Sequence, residues 1–414
     1  MAILGGLIAS SGIASAQSDT RGVGVAERAR PDYDPLGLKV GSFRLLPAVD
    51  VELDASDNYR ATDTNRQSDI YGVVEPEVDF ASTWGRHRLA GRVYYSRSIH
   101  AKLPTEDAGQ YGASLNGALD VSRDMVIRAD ASVAHLVESR SSLGSFRNAL
   151  EPVSYNAYHA AIGVSRQFNR LKLDGSAGWN YTAFNDVLGT NGAIIDQQFR
   201  SYRSLSQSLS AQYDIGNGIG VIVSGNATQN RYKVRPGSAD FDPLVDIDRQ
   251  SSGLTLQGGL TFELSSLIFG TIQAGYLRQK YRDPRLRDFA GPTFNADILW
   301  NVTPLTSVRL RAGRSVEETS STTIAGNTRI DFSVRVDHEL YRYIIVSANA
   351  GYGSFSPNGA GVGGNEYNLG AGVRYLIDRH WSAGLTANYA WRDSTSTYLR
   401  YHAATVGIST RFAF

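Results

Sequence analysis

The sequence of 414 residues contains no cysteine and only 5 lysines among its 41 basic residues. Without cysteine the chain has no disulfide framework, no thiolate metal site, no cysteine nucleophile and no cysteine for lipid attachment. The formal net charge is only +1, which gives no long-range field strong enough to indicate nucleic acid binding. Because phosphate recognition needs a concentrated basic face, nucleic acid is disfavoured as a partner.

Hydrophobic residues make up 42% of the chain and charged residues 20%. This composition is too apolar for a disordered protein and too polar for a helical membrane protein. Glycine is frequent, at 42 residues, and the chain carries 22 tyrosines and 5 tryptophans. Together these features indicate a β-rich envelope protein.

The N-terminal segment has the composition of an export signal. It is apolar and rich in small residues, and it ends in Ala14, Ser15 and Ala16 before Gln17, the small-x-small pattern that signal peptidase recognises. We therefore expect a signal peptide over residues 1–16. Residues 17–42 are polar and contain two prolines, which predicts a loose periplasmic N-terminal arm ahead of a barrel domain over residues 43–414.

From about Leu45 onward, apolar and polar side chains alternate with a period of two, as in half-buried β-strands. About eighteen such runs occur, at approximately 45–60, 70–82, 88–97, 110–122, 125–137, 153–165, 170–183, 198–213, 219–230, 251–263, 267–279, 292–302, 306–316, 327–338, 343–355, 366–376, 381–393 and 399–414. Short and long connections alternate between them, which is typical of bacterial transmembrane barrels with periplasmic turns and external loops.

The predicted fold is an all-β, transmembrane, antiparallel up-and-down β-barrel of about 18 strands, with 16 as the alternative. Closure is required because an open sheet edge in hydrocarbon leaves unpaired backbone groups, at several kcal/mol each. An even strand count places both termini in the periplasm and the barrel in the outer membrane of a bacterium.

The polar face of the strands is predicted to line the lumen, because charge on the lipid face costs about 2–4 kcal/mol at mid-bilayer. Two interpretations remain open: separated acidic and basic walls that orient polar solutes, or paired side chains that brace and plug the barrel. The charged candidates for this lining are Asp50, Glu52, Asp54, Glu75, Glu77, Asp79, Arg88, Arg92, Arg128, Asp130, Arg309, Arg311, Arg329, Asp331, Arg335, Asp337 and Arg374.

The C-terminal strand ends in apolar residues at alternate positions and a terminal aromatic residue. It resembles the signal that outer-membrane barrels present to their assembly machinery, and the residues that carry this likeness are Val406, Ile408, Phe412 and Phe414.

Catalysis, metals and cofactors are not expected. The 7 histidines show no paired metal spacing, and serine–histidine pairs such as Ser132 with His135 are common by chance on a polar face. The glycine-rich segment 359–364 matches a dinucleotide motif by letter, but it lies between two strand patterns and lacks the following helix that binds pyrophosphate.

Several short segments resemble the "putative beta-barrel porin 2" family of Gram-negative outer-membrane proteins. They are Asp57 to Arg60, Ser68 and Asp69, Val74 to Pro76, and Trp84 to His87. The likeness covers roughly residues 40–414. Members of that family are often encoded among exopolysaccharide genes, so the resemblance implies export of a polysaccharide with a periplasmic polysaccharide export protein as partner.

The expected function is a passive outer-membrane channel, most readily for exopolysaccharide export. A general or selective uptake porin for small polar solutes is the alternative, and a structural barrel with a closed lumen is a third. The expected partners are outer-membrane lipid, the barrel assembly machinery and the transported polysaccharide.

Overall fold

The computed structural model describes residues 22–244, 246–265, 267–317, 326–359 and 361–414. The predicted signal peptide lies outside the described residues. No α-helix occurs in these ranges, and none of their helical segments is long and apolar enough to cross a membrane.

Eighteen long antiparallel strands form one closed sheet. Each pairs with the next along the chain, and the last, β18, pairs with the first, β1. The predicted 18-strand barrel is confirmed and the 16-strand alternative is wrong. The strands are β1 (Phe43–Ser56), β2 (Asp69–Ser82), β3 (Arg88–His100), β4 (Ala108–Ser122), β5 (Met125–Val137), β6 (Ser154–Phe168), β7 (Leu171–Phe184), β8 (Tyr202–Gly216), β9 (Ile219–Tyr232), β10 (Ser251–Leu264), β11 (Ile268–Tyr281), β12 (Phe289–Thr303), β13 (Thr306–Glu317), β14 (Asn327–Tyr341), β15 (Ile344–Pro357), β16 (Gly364–Leu376), β17 (Trp381–Ser394) and β18 (Tyr401–Ala413).

Outside the barrel wall the elements are short. A strand at Leu38–Val40 forms a hairpin with the start of β1, and a small two-stranded sheet joins Val187–Leu188 to Ile194–Ile195. In the part of the chain that the structure describes, three 3₁₀-helices lie at Val25–Glu27, Pro104–Glu106 and Gln198–Arg200.

The connections divide the barrel into two ends. Both barrel termini and the tight turns lie at one end, called here the short-turn end, and the longer loops lie at the other, the long-loop end. The turn between β8 and β9 shows why the tight connections form: Asn217 and Gly218 both have positive φ, the geometry of two-residue hairpins. A Cβ on Gly218 would lie 2.0 Å from the carbonyl oxygen of Glu263, so only glycine fits there.

One interruption in the ladder has a local cause. The register of β2 against β3 runs to Val74 opposite Arg97 and resumes at Glu77 opposite Tyr94. Pro76 lies in this gap, and proline has no backbone N–H to donate to a neighbouring strand. The opposite neighbour, β1, remains paired with β2 through this segment.

Candidate functional site in the lumen

The polar face of the strands is the concave, inner face of the barrel. On it, side chains reach across an intervening strand: Arg411 of β18 contacts Glu77 of β2 at 2.5 Å, and Gln212 of β8 donates to Thr261 of β10 at 3.0 Å. Such contacts form where side chains converge. The opposite face carries uncovered apolar side chains, such as Leu209 of β8 with 72% of its surface exposed, and this face suits lipid.

The strand registers place all the charged lining candidates on the inner face. Asp50 lies opposite Glu75 and Arg411, Arg128 opposite Gly163, Arg309 opposite Arg335, and so on around the barrel. That they line an open pore remains a prediction, but the face on which they lie is the one that a solute in the lumen would meet.

Part of the acidic group on β1 and β2 is neutralised by arginine. Arg411 binds Asp50 and Glu77, and Arg92 binds Glu77 and lies 3.5 Å from Asp79. Arg411 is not among the predicted lining residues, because the apolar residues of the C-terminal strand dominate its sequence pattern. The same two-residue period that sets Ile408 and Phe412 outward sets Arg411 inward.

Other charges of the lining have no opposite charge beside them. Within the described part of the chain, Glu52, Asp54 and Glu75 form no ion pair, and neither do Arg88 and Arg128 on β3 and β5. The acidic wall therefore keeps a local excess of carboxylate that faces the lumen.

Three arginines of β13 and β14 are paired with carboxylates on the same strand or on the neighbouring strand β12. Asp297 of β12 lies 3.2 Å from both Arg309 and Arg311. Arg335 pairs with Asp337 at 3.0 Å. These contacts favour the bracing interpretation for this part of the barrel, because a guanidinium bound along the wall is less available to a solute.

A second arginine network lies nearer the long-loop end. Arg329 contacts Asp331 at 2.9 Å and Glu366 at 2.6 Å, and Arg392 of β17 also binds Glu366 at 2.6 Å. Glu317 extends this network, at 3.7 Å from Arg329. The network links β13, β14, β16 and β17 across the inner surface.

Between these charged regions runs an uncharged strip on the inner face of β8 to β11. Its length from Ser204 to Gln212 is about 26 Å along the strand at about 3.3 Å per residue. The strip carries hydroxyl and amide side chains, and its polar members are Ser204, Ser206, Ser208, Ser210, Gln212, Ser224, Asn226, Thr228, Asn230, Ser251, Thr255, Gln257, Thr261, Thr271, Gln273 and Gln279. In the sequence, the strip is marked by serine at alternate positions of β8.

The strip is ordered by hydrogen bonds between its own side chains. Asn226 donates to Ser208 at 2.7 Å, and Gln273 donates to Ser224 at 3.3 Å across the intervening strand. Amide nitrogens donate in these bonds, so the bonds leave the hydroxyl hydrogens and the amide oxygens of these residues free for other partners.

At the long-loop end, the loop 138–153 between β5 and β6 folds over the mouth. Its Arg140 binds the fully buried Glu106 through two bonds of 2.8 Å, and Arg60 adds a third bond of 2.8 Å. A buried carboxylate that lost these partners would be costly, since breaking one side of a buried ion pair costs about 3–5 kcal/mol.

The same loop reaches residues on distant strands. The guanidinium of Arg147 donates to the carbonyl oxygens of Ala61 and Arg400 at 3.2 and 3.0 Å, and its backbone N–H donates to the Tyr398 hydroxyl at 2.9 Å. Burial lowers the pKa of Arg147. Loop 138–153 therefore spans from β5 and β6 to the loops beside β1 and β18, and it restricts this mouth.

Two further loops at this end are tied together by Asp283. Its carboxylate accepts hydrogen bonds from Arg285 at 2.7 Å and from the backbone of Asp248 at 3.0 Å. The side-chain hydrogen bonds from Arg285 lower the pKa of Asp283 to about 2. The contact joins the loops 233–250 and 282–288.

At the short-turn end, residues 22–37 follow the rim of the barrel from β1 towards β13. Arg379, in the turn between β16 and β17, donates to the carbonyl oxygen of Pro31 at 3.1 Å. Arg30 pairs with Glu339 of β14 at 2.9 Å, and their side chains are only 9% and 16% exposed. The expectation of a loose arm is wrong for these residues, because buried contacts hold them against the barrel.

The tip of this docked arm enters the inner face. Val25 is fully buried, and its N–H donates to the Ser307 hydroxyl at 2.9 Å. Glu27 pairs with Arg309 at 3.2 Å, and Arg374 donates to a backbone carbonyl of the arm at 3.1 Å. Two of the arginines predicted to line the pore are therefore bound to the arm.

No group of three or more potential metal-ligating side chains occurs in the described ranges. His135 stacks on Tyr111 at 5.1 Å and bonds to Asn156, while Ser132 lies on the opposite face of the same strand. That pair is not arranged for nucleophilic catalysis.

A family model described as "putative beta-barrel porin 2" matches residues 30–414. The chain belongs to this family. The expected membership is confirmed, and with the closed 18-strand barrel it identifies a porin-type channel of the bacterial outer membrane. The family and fold indicate a channel rather than an enzyme.

Several solved outer-membrane proteins are similar in structure to this chain at low sequence identity. The siderophore receptor PirA from Acinetobacter baumannii is 7% identical with a TM-score of 0.50, over 91% of this chain and 81% of that chain. OccK2 from Pseudomonas aeruginosa is 12% identical with a TM-score of 0.47, over 89% and 98% of the two chains. A BenF-like porin from Pseudomonas fluorescens Pf-5 is 13% identical with a TM-score of 0.47, over 91% and 100%. No curated protein matches the chain.

The residues of the predicted C-terminal assembly signal lie on the outer surface or at the end of β18. Val406 and Ile408 are 52% and 56% exposed, and Phe412 packs on Trp381 with ring centroids 4.6 Å apart. Phe414 donates its N–H to Pro47 at 3.1 Å. Recognition by the assembly machinery remains a prediction.

Proposed function

We propose that this porin is a passive channel that carries exopolysaccharide outward across the outer membrane. The observation that supports it best is the uncharged hydroxyl and amide strip on β8 to β11. A sugar polymer presents many hydroxyl groups and needs partners along its path that replace water without holding it tightly. Uncharged hydrogen bonds contribute only about 0.5–1.5 kcal/mol each, which permits release at every step.

The direction of transport and the orientation of the barrel are part of this proposal. The short-turn end, with both barrel termini, is assigned to the periplasm, because bacterial barrels have short periplasmic turns and longer external loops. Export is favoured by the association of the family with exopolysaccharide genes, and a periplasmic polysaccharide export protein is the proposed partner.

Uptake of small polar solutes is the second candidate, and the segments that narrow both ends of the barrel favour it. Loop 138–153 and the docked arm both have to be passed or displaced by a polymer, whereas a small solute needs less free width. Most charged side chains of the lining are paired with an opposite charge, and such a lining suits either a polymer or a small solute.

Two assays separate the candidates. Purified protein is reconstituted in planar bilayers, where a channel gives ohmic conductance and a structural barrel with a closed lumen gives none. Cells lacking the protein are then assayed for polymer in the periplasm and in the medium. Export predicts retention of polymer in the periplasm. Unchanged secretion with reduced uptake of small sugars would reject export and favour the uptake porin.

A further inference from the structure

A recess lies at mid-height in the inner wall, where the charged lining of β5 meets the uncharged strip. Its cavity has a volume of about 480 Å³, within the range of about 300–1,000 Å³ that is usual for small-ligand sites. The recess forms because Ala161, Gly163 and Ser176 on the inner face of β6 and β7 are small.

We propose that this recess is a saccharide-binding site within the channel, for one or two units of a neutral sugar chain. This inference rests on the proposed function, since it requires a lumen that solutes enter. A channel can conduct without a binding site, so the proposal adds a defined site and a class of ligand to the proposed function.

The two carboxylates near the recess, Asp130 and Asp174, are offset by two cations, Arg128 and Lys172. Asp130 is bound by His159 at 2.6 Å, and His159 is held in turn by Asn180 at 2.7 Å. Asp174 is paired with Lys172 at 3.3 Å. A fixed carboxylate with one oxygen already bound can accept a sugar hydroxyl through the other, while the neighbouring opposite charges remove a strong preference for an ionic ligand.

Arg128 supplies donors on the β5 side of the recess. It forms no ion pair within the described residues and is more exposed than its neighbour Asp130. Its guanidinium carries five N–H donors and no acceptor. A sugar hydroxyl can accept a hydrogen bond from such a group and donate one to a carboxylate. The recess therefore offers both a donor and an acceptor to the hydroxyl.

Neutral partners face this charged side from β8 to β10. Asn226 donates to Ser208 and thereby fixes its own side chain, with its amide oxygen unbonded among the described residues. Gln257 also lines the recess, and no hydrogen bond occupies its amide within the same ranges. Amides offer a donor and an acceptor side by side, which matches pairs of adjacent hydroxyl groups on a sugar ring.

The lining of the recess contains no aromatic side chain. Stacking of a sugar ring on an aromatic face is therefore unavailable, and binding depends on hydrogen bonds whose net contribution is small. A weak site is what a channel requires, because a solute has to leave as well as enter.

The test uses the purified porin in planar bilayers, with the neutral glucan oligomer maltohexaose as the probe. The probe is titrated on one side while block of the ion current is recorded, which gives a dissociation constant for the open channel. The test variants are Asn226→Ala and Gln257→Ala. The matched control is Asn388→Ala: both Asn226 and Asn388 are the eighth residue of a 14-residue strand and face inward, but Asn388 lies on β17, away from the recess.

We expect each test variant to raise the dissociation constant roughly threefold to tenfold, the loss of one neutral hydrogen bond, and the control to leave it within about twofold. The proposal is overturned if wild-type current is insensitive to maltohexaose, or if Asn388→Ala weakens block as much as the test variants. In those cases the channel itself stands. A wild-type barrel without conductance overturns the channel together with its site.

Discussion

One substitution tests whether buried contacts hold the N-terminal arm on the short-turn end of the barrel. The change is Arg30→Met, which keeps the length of the side chain and removes its charge. Arg30 donates to Glu339 at 2.9 Å and to the carbonyl oxygens of Val25 and Arg28 at 2.8 and 3.0 Å. The variant leaves Glu339 without this partner in a largely buried position.

These contacts set the free energy of docking that Arg30→Met removes. Breaking one side of a buried ion pair costs about 3–5 kcal/mol, and the burial of Val25 that opposes release contributes about 1.5–3 kcal/mol. A loss of about 3 kcal/mol raises the undocked population by roughly a hundredfold. The arm then leaves the rim in a measurable fraction of molecules, while the barrel keeps its strand pairing.

The chain has no cysteine, so a single Val25→Cys substitution reports on docking directly. A water-soluble maleimide is added to the protein in lipid vesicles, and its rate of reaction is compared with and without Arg30→Met. We expect the rate to rise by one to two orders of magnitude. The control is Asp32→Asn, since Asp32 lies 4.0 Å from Arg342 and both side chains are largely exposed. Equal rates in Arg30→Met and the parent, or an equal rise in the control, would show that the Arg30–Glu339 pair does not hold the arm on the barrel.

Three further predictions concern the two mouths. Glu106→Gln weakens the anchor of loop 138–153, so we expect faster trypsin cleavage after Arg140 with the barrel still resistant; unchanged cleavage would show that the anchor is elsewhere. The pKa of Asp283 is lowered to about 2. Its contribution to the contact between loops 233–250 and 282–288 is therefore complete above the ordinary aspartate pKa of about 4 and is lost as the pH falls through about 2. Distances between spin labels on the two loops should broaden only at that low pH in the parent protein, and at every pH in Asp283→Asn. Deletion of residues 17–36 should raise single-channel conductance, because it clears the inner face at the short-turn end; an unchanged value would mean that the arm does not narrow the path.

The barrel wall was predictable from sequence because its signal is local. Alternation with a period of two assigns each side chain to a face without knowledge of its neighbours, so the strand number and the inward position of residues such as Asp50 and Arg335 follow from the pattern. Strand ends were less exact: the first run was expected over 45–60, whereas β1 ends at Ser56.

Contacts between residues distant in sequence were not predictable in this way. Arg30 and Glu339 are separated by 309 positions, and Arg411 and Asp50 by 361. Nothing in the local pattern of either residue specifies its partner. The docked arm, the fold of loop 138–153 and the neutralisation of the lining charges all depend on such pairs, and these features decide how open the lumen is.

A channel of this kind depends on one arrangement: alternate side chains of each strand face water inside the barrel and lipid outside it. Single cysteines at Ser206, Ser208, Leu205 and Leu209 of β8, each in the cysteine-free chain reconstituted in lipid vesicles, test it directly with a water-soluble maleimide. We predict reaction at the two serine positions and protection at the two leucine positions. Equal reaction at all four, or reaction at the leucine positions alone, would contradict a water-filled barrel with this strand orientation.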